Sequence, residues 1–352
     1  MKITLRTITP FLLCVSLLSA GMTSPALACC AVAGPGTPVV NADQSVIIIW
    51  DHTSKQQHFI RKAGFKTTAT DVGFLVPTPS KPDLQEAGSE AFPYLAQITA
   101  PMVSRRSFSI GCSAAIPVSK SANWVHMVEE KTVAGFHAVV LASDSGTALS
   151  AWLQARGYHL SPEVTTWAQP YLDQRWYITA MKVAADKNTP DKPILADALR
   201  ISFKTNRPLF PYREPDSLKD ARKLNVEDRL LRIYFIGETR YAGTLGAGHA
   251  WSGKPVWSGP LQADQKSALL QKLRLPSSTG PQSWWLTEFE DDWKYGTAPS
   301  DLYFTPAGRE PLRRPVEYAR HGDANGFDLS LCATVGIAVL MPLRRKRTRS
   351  HS

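Results

Sequence analysis

The stretch Ser143–Val183, SDSGTALSAWLQARGYHLSPEVTTWAQPYLDQRWYITAMKV, decides the fold class. Ser143 or Asp144 can cap a helix in which Leu149, Trp152 and Leu153 fall at i, i+3 and i+4, and Gly157 closes it. A second helix starts at Ser161-Pro162, with proline at the first helical position, and gathers Val164, Trp167, Ala168, Tyr171 and Leu172 on one face. The alternation from Trp176 to Val183 then reads as a strand. A helix pair near 145–174 running straight into a strand fits a mixed fold better than regular βα alternation.

Outward from this stretch, strands predominate. Val46–Trp50 and Gln57–Arg61 form a hairpin around Asp51-His52-Thr53-Ser54, and Val72–Val76 is a strand halted by Pro77-Thr78-Pro79. Residues 84–98 read as an irregular helix carrying Leu84, Phe92, Leu95 and Ile98, with Pro93 inside it, and Val133–Leu141 as a central strand. Leu199–Phe203, Leu230–Ile236, Trp284–Phe289 and Leu302–Phe304 read as further strands, Gly243–Gly259 as a glycine-rich loop and Gln262–Leu273 as a helix. Strands mostly follow strands, so the expected class is α+β with largely antiparallel sheets. A linker rich in Asp, Lys and Pro, Asp186–Pro193, opens an internal boundary region near 186–220.

The ends of the chain read as addresses. Lys2 and Arg6, the apolar run Phe11–Leu18 and the Ala26-Leu27-Ala28 site make residues 1–28 a signal peptide, cleaved between Ala28 and Cys29. Ala-Leu-Ala-Cys also resembles a lipobox, which would place a lipid on Cys29. Residues 327–343 end in an uncharged apolar run followed at once by the basic tail 344–352, a stop-transfer pattern with the arginines on the cytoplasmic side. The fifteen residues from Leu329 span only about 22 Å as a helix, short for a bilayer core near 30 Å, so a transmembrane anchor and a processed sorting tail are both open. Residues 29–326 are then an exported domain facing the periplasmic side, with the membrane as its first partner.

The formal charge of +10 comes from 40 Lys+Arg against 30 Asp+Glu. Seven of these positive charges lie in the two end segments, which carry no acid, so the body is close to neutral. That argues against a nucleic-acid partner, whose footprint belongs on the folded domain. Among the five cysteines, Cys14 lies in the signal peptide and Cys332 in the apolar C-terminal run. Of the remaining three, Cys30–Cys112 is the expected disulfide of an oxidising compartment, with Cys29–Cys112 and free thiols as alternatives.

Several short motifs resemble chemistry without completing it. Gly248–Lys254 has the spacing of a phosphate loop, but Pro255 replaces the magnesium-binding hydroxyl and no helix follows at once, so no nucleotide is expected. His126-Met127-Val128-Glu129-Glu130 lacks the second histidine of a zinc helix, and His137 reads as a core histidine, so neither metal nor cofactor is expected. There is no G-x-S-x-G or S-x-x-K; Cys112 with His126 or His137 is the one nucleophile arrangement left. Glu288, Glu290, Asp291 and Asp292 lie near Trp284, Trp285 and Trp293, as paired acids and stacking rings do in sugar sites. The plainer reading puts Trp285, Thr287 and Phe289 on one strand face and the acids in a solvated turn.

Cys29-Cys30, Val76-Pro77-Thr78-Pro79-Ser80, Trp152–Tyr158, and Pro170-Tyr171-Leu172 leading to Trp176 and Lys182 occur in an order that resembles the bacterial domain-of-unknown-function family 2330. The resemblance is strongest over 29–215 and thins towards 305. It departs at Pro211-Tyr212-Arg213, where Pro-Leu-Arg is more typical. It implies an exported, often C-terminally anchored envelope protein and brings no catalytic residues with it. The expected function is a non-catalytic anchored domain contacting envelope protein or polysaccharide. An envelope hydrolase, glycosidase-like or cysteine-dependent, is the alternative.

Overall fold

The computed structural model describes residues 31–33, 39–41, 44–62, 64–67, 72–101, 129–158, 162–183, 194–195, 198–215, 230–292 and 298–315. The signal peptide, Cys29, Cys30, Cys112, His126, Trp293 and the apolar C-terminal segment lie outside them. Among the described residues no helix is long and apolar enough to cross a membrane.

In chain order the strands are β1 (Ala31–Ala33), β2 (Val39–Asn41), β3 (Gln44–Asp51), β4 (Gln56–Lys62), β5 (Gly64–Thr67), β6 (Val72–Thr78) and β7 (Asp83–Ala87). After helix α1 (Ala91–Thr99) come β8 (Glu129–Val133), β9 (Phe136–Leu141), helices α2 (Gly146–Gln154) and α3 (Pro162–Asp173), and β10 (Tyr177–Val183). The remainder comprises β11 (Ile194–Leu195), β12 (Ala198–Lys204), β13 (Leu209–Phe210), β14 (Leu230–Gly237), β15 (Tyr241–Leu245), β16 (Lys254–Pro260), α4 (Ala263–Lys272), β17 (Trp285–Asp292) and β18 (Leu302–Pro306).

A seven-stranded sheet runs β16-β17-β14-β3-β4-β12-β7 and a five-stranded sheet β1-β6-β10-β9-β8; β11-β5-β2 and β13-β18-β15 form two smaller ones. Every ladder is antiparallel except β3–β14, so the α+β, mainly antiparallel expectation holds. The run Val46–Ile49 explains the centre of the large sheet. β3 lies between β4 and β14, and alternate side chains enter different cores. Val46 and Ile48 face a core shared with Phe74, Val76, Phe136, Ala138 and Met181 of the five-stranded sheet, which Leu149, Leu153, Val164, Trp167 and Tyr171 of α2 and α3 also join. Ile47 and Ile49 face the second core, built with Phe92 and Leu95 of α1 and Leu269 and Leu270 of α4. A strand buried on both faces needs an unbroken apolar run, and each such side chain contributes roughly 1.5–3 kcal/mol of burial.

Four expectations change. Residues 83–87 are a strand, not the first turn of a helix; the helix begins at Ala91, where Pro93 falls in the first turn and displaces no internal hydrogen bond. Val133–Leu141 is a hairpin, because Ala134 and Gly135 adopt φ of 52° and 81°, the left-handed pair that a two-residue turn needs. The supposed loop 243–259 is largely β15 and β16, with only the residues between them connecting. Ser145, rather than Ser143 or Asp144, caps α2 by accepting from the Ala148 amide.

Candidate functional site

The Trp152–Tyr158 motif ends α2 and is built by its own helix termination. Gly157 takes φ 76°, so the chain reverses and the Tyr158 amide bonds back to the Leu153 carbonyl at 2.9 Å. Arg156, one turn after Trp152, lays its guanidinium over that indole at 3.7 Å from the ring centroid. The reversal carries the Tyr158 ring inward, where the Lys182 ammonium of β10 stands 5.6 Å from its centroid. Trp152 is half-buried against the first core and Arg156 is exposed. Tyr158 is buried in the first core, so the surface that the end of α2 presents is the half-buried Trp152 ring faced by the exposed Arg156. Such a surface can stack on a sugar ring or peptide side chain and attract negative charge.

The acidic cluster is arranged differently from the expectation. β17 extends to Asp292, so Glu288, Glu290 and Asp291 are strand residues, not a solvated turn. Pairing with β14 and β16 on both sides holds the strand through these positions. Trp285, Thr287 and Phe289 do share one face, and Asp291 continues it. Glu288 and Glu290 point to the other face, where Arg232 binds both, Nε to Glu288 Oε1 at 3.0 Å and Nη2 to Glu290 Oε1 at 2.8 Å. The carboxylates are divided by the sheet, which is not the arrangement of a glycosidase acid pair across one sugar.

Asp291, 2% exposed, is a fastening point that the sequence reading missed. Its Oδ2 accepts from the Tyr212 hydroxyl at 2.8 Å and the Trp251 indole N–H at 3.0 Å, and its Oδ1 from the Ser252 hydroxyl at 2.7 Å. Burial, and then the adjacent Asp291 carboxylate, push the Tyr212 hydroxyl far above its usual pKa, so it stays a donor. A leucine at position 212 could not make this bond. Asp301 plays a similar part, accepting from the Tyr171 hydroxyl at 2.9 Å and the Arg213 amide at 3.2 Å; burial raises its pKa to about 6.

The remaining motifs fall apart spatially. The Gly248–Lys254 stretch links β15 to β16, strands of different sheets, and Trp251 within it turns inward to Asp291. His137 is exposed, paired across the hairpin with the Thr132 hydroxyl at 3.0 Å, because the pleat turns its side chain away from the core that receives Phe136 and Ala138. The half-buried histidine is His58, its Nδ1 2.8 Å from the Ser202 hydroxyl. Among the described residues no three His, Cys, Asp or Glu side chains are placed to hold a metal.

Fold and site together define a two-core α+β domain with a cation-faced aromatic surface at the end of α2. The chain belongs to the family described as "uncharacterized protein conserved in bacteria", DUF2330, whose profile matches residues 23–243. That match ends inside β15, and the residues beyond it supply β16, β17 and β18, so the sheets extend past the family segment. No curated protein matches the chain. Among solved structures, baculovirus P35 is 8% identical with a TM-score of 0.33, covering 82% of this chain and 100% of that one. A mutated baculovirus P35 after caspase cleavage is 8% identical with a TM-score of 0.32, covering 78% and 100%. Similarity at that level carries no argument about fold or function.

Proposed function

We propose that this protein is an exported domain, held at the bilayer by its last apolar segment, that works by contact with an envelope polymer or protein rather than by turnover. One observation supports the reading above others: at the end of α2 the half-buried Trp152 ring is faced by the exposed Arg156 guanidinium, 3.7 Å from its centroid. The interior acids, by contrast, are engaged in fastening loops and strands. Stacking of a sugar or aromatic group on Trp152 is worth about 0.5–1.5 kcal/mol, and a cation beside it adds a similar amount. Replacing Trp152 and Arg156 together by Ala therefore lowers binding to isolated peptidoglycan sacculi or to envelope proteins at least about fivefold. Co-sedimentation of the full chain with sacculi, and affinity capture from solubilised envelopes, read this out. Unchanged binding of the double variant in both assays contradicts the reading. Cell fractionation with protease protection tests the address: the expected result is a chain lacking residues 1–28 in the membrane fraction, its body digested from the exported side only.

A further inference from the structure

The core between the two large sheets contains a cation, Arg61, that no acid neutralises among the described residues. Arg61 of β4 is 2% exposed, and its Nε and Nη1 have no hydrogen-bond partner among the described residues. The Phe74 ring of the facing sheet lies 4.9 Å from its guanidinium carbon. A ring face offsets only part of the desolvation of a buried guanidinium, which amounts to several kcal/mol. Chains do not ordinarily leave such a group unpaired.

A second unpaired group stands beside it. Gln44 of β3 is 4% exposed, and both its amide nitrogen and its amide oxygen lack partners among the described residues. In the β3–β4 ladder Val46 lies opposite Arg61, and Gln44 is two residues from Val46, so Gln44 and Arg61 share one face as diagonal neighbours. Diagonal positions lie about 7–8 Å apart, within reach of two long side chains converging on one small group. The flanking positions on that face are apolar: Val46, Leu199 opposite Arg61, and Leu231 opposite Gln44.

We infer that Arg61 and Gln44 form a binding site for a carboxylate inside the sandwich, the carboxylate accepting from the guanidinium and from the Gln44 amide. The charge balance selects this class. One guanidinium and one neutral amide neutralise a single negative charge, whereas a phosphate dianion would leave an uncompensated charge among Val46, Leu199, Leu231 and Phe74. The apolar walls suit an acid with a short hydrocarbon chain.

The test is thermal unfolding of the full chain titrated with acetate and with hexanoate at constant ionic strength, with inorganic phosphate in parallel. The carboxylates should raise Tm saturably by about 3 °C or more, hexanoate at lower concentration than acetate, and phosphate should not. In Arg61→Met the response should vanish while the unliganded protein stays as stable or becomes more so, because an unpaired buried charge has been replaced by a side chain of similar volume. Gln44→Leu should weaken the response at least fivefold and serves if Arg61→Met does not fold. No saturable shift with either carboxylate, an equal shift in both variants, or a response to phosphate matching that to acetate would overturn the assignment.

Discussion

Replacing Asp291 by Leu should lower the stability of the folded chain by about 4 kcal/mol, measured as a shift of the urea midpoint followed by tryptophan fluorescence. The carboxylate is buried within β17 and accepts three bonds, from Tyr212 after β13 and from Trp251 and Ser252 between β15 and β16. Hydrogen bonds to a charged group are worth about 1.5–3 kcal/mol each, and removing the acceptor leaves three donors without their partner. The loss exceeds that of an ordinary cavity because two loops are released from the sheet at once. Tyr212→Phe removes one of the three bonds and should lower stability by only about 1–2 kcal/mol. The two changes should not add, since both act through the same carboxylate. A loss below about 1 kcal/mol for Asp291→Leu would mean that the loops are held by other contacts.

The second large effect is a pair of opposed pH dependences. Burial raises the Asp301 pKa from 3.8 to about 6, so the folded state retains a proton that the unfolded chain has released. Stability contributed by Asp301 is therefore full in acid and falls as pH rises from about 4 to 6, by about 3 kcal/mol. His58 behaves in the reverse sense. Burial, and then the Arg200 charge, lower its pKa from 6.5 to about 4, against weaker opposing effects of Asp83 and Asp51. The unfolded chain binds a proton there that the folded state refuses, so stability rises as pH climbs from about 4 to 6.5, again by about 3 kcal/mol. Across pH 4–6 the two contributions largely cancel. Asp301→Asn should expose the rising slope and His58→Gln the falling one in chemical denaturation at closely spaced pH. If Asp301→Asn leaves the pH profile of the parent protein unchanged, the buried-acid account of that site is wrong.

Local signals in the sequence were read correctly where one residue type carries one geometry. Gly157 announced the end of α2 because only glycine enters the left-handed region without strain, and Ser161-Pro162 marked the start of α3. The expected ends of α3 near 174 and of α4 at Leu273 lie within a residue of the observed Asp173 and Lys272, although Arg175 and Arg274, which take φ 57° and 54° there, give no such signal. Trp285, Thr287 and Phe289 were placed on one face by period-two alternation, yet the acids after them were assigned to solvent by their charge. Burial of Asp291 depends on Tyr212, Trp251 and Ser252, which lie 79, 40 and 39 residues away. Nothing local to β17 announces those donors.

The candidate surface was half legible. The Trp152–Tyr158 run and Lys182 stood out as motifs, but their meeting follows from the α2 reversal and the position of β10, a tertiary fact. Arg61 and Gln44 read as ordinary polar residues in a strand pattern, and their isolation shows only once the second sheet covers them.

The claim that the end of α2 is a contact surface is tested most directly by a photo-activated crosslinker at Gln154, exposed beside Arg156, in the full chain expressed in its native envelope. A second chain carries it at Gln271, exposed on α4 against the other core. Irradiation should yield a discrete adduct with an envelope component from position 154, absent from 271 and lost when Trp152 and Arg156 are Ala. Equal labelling from both positions, or an adduct that survives the double substitution, would contradict it.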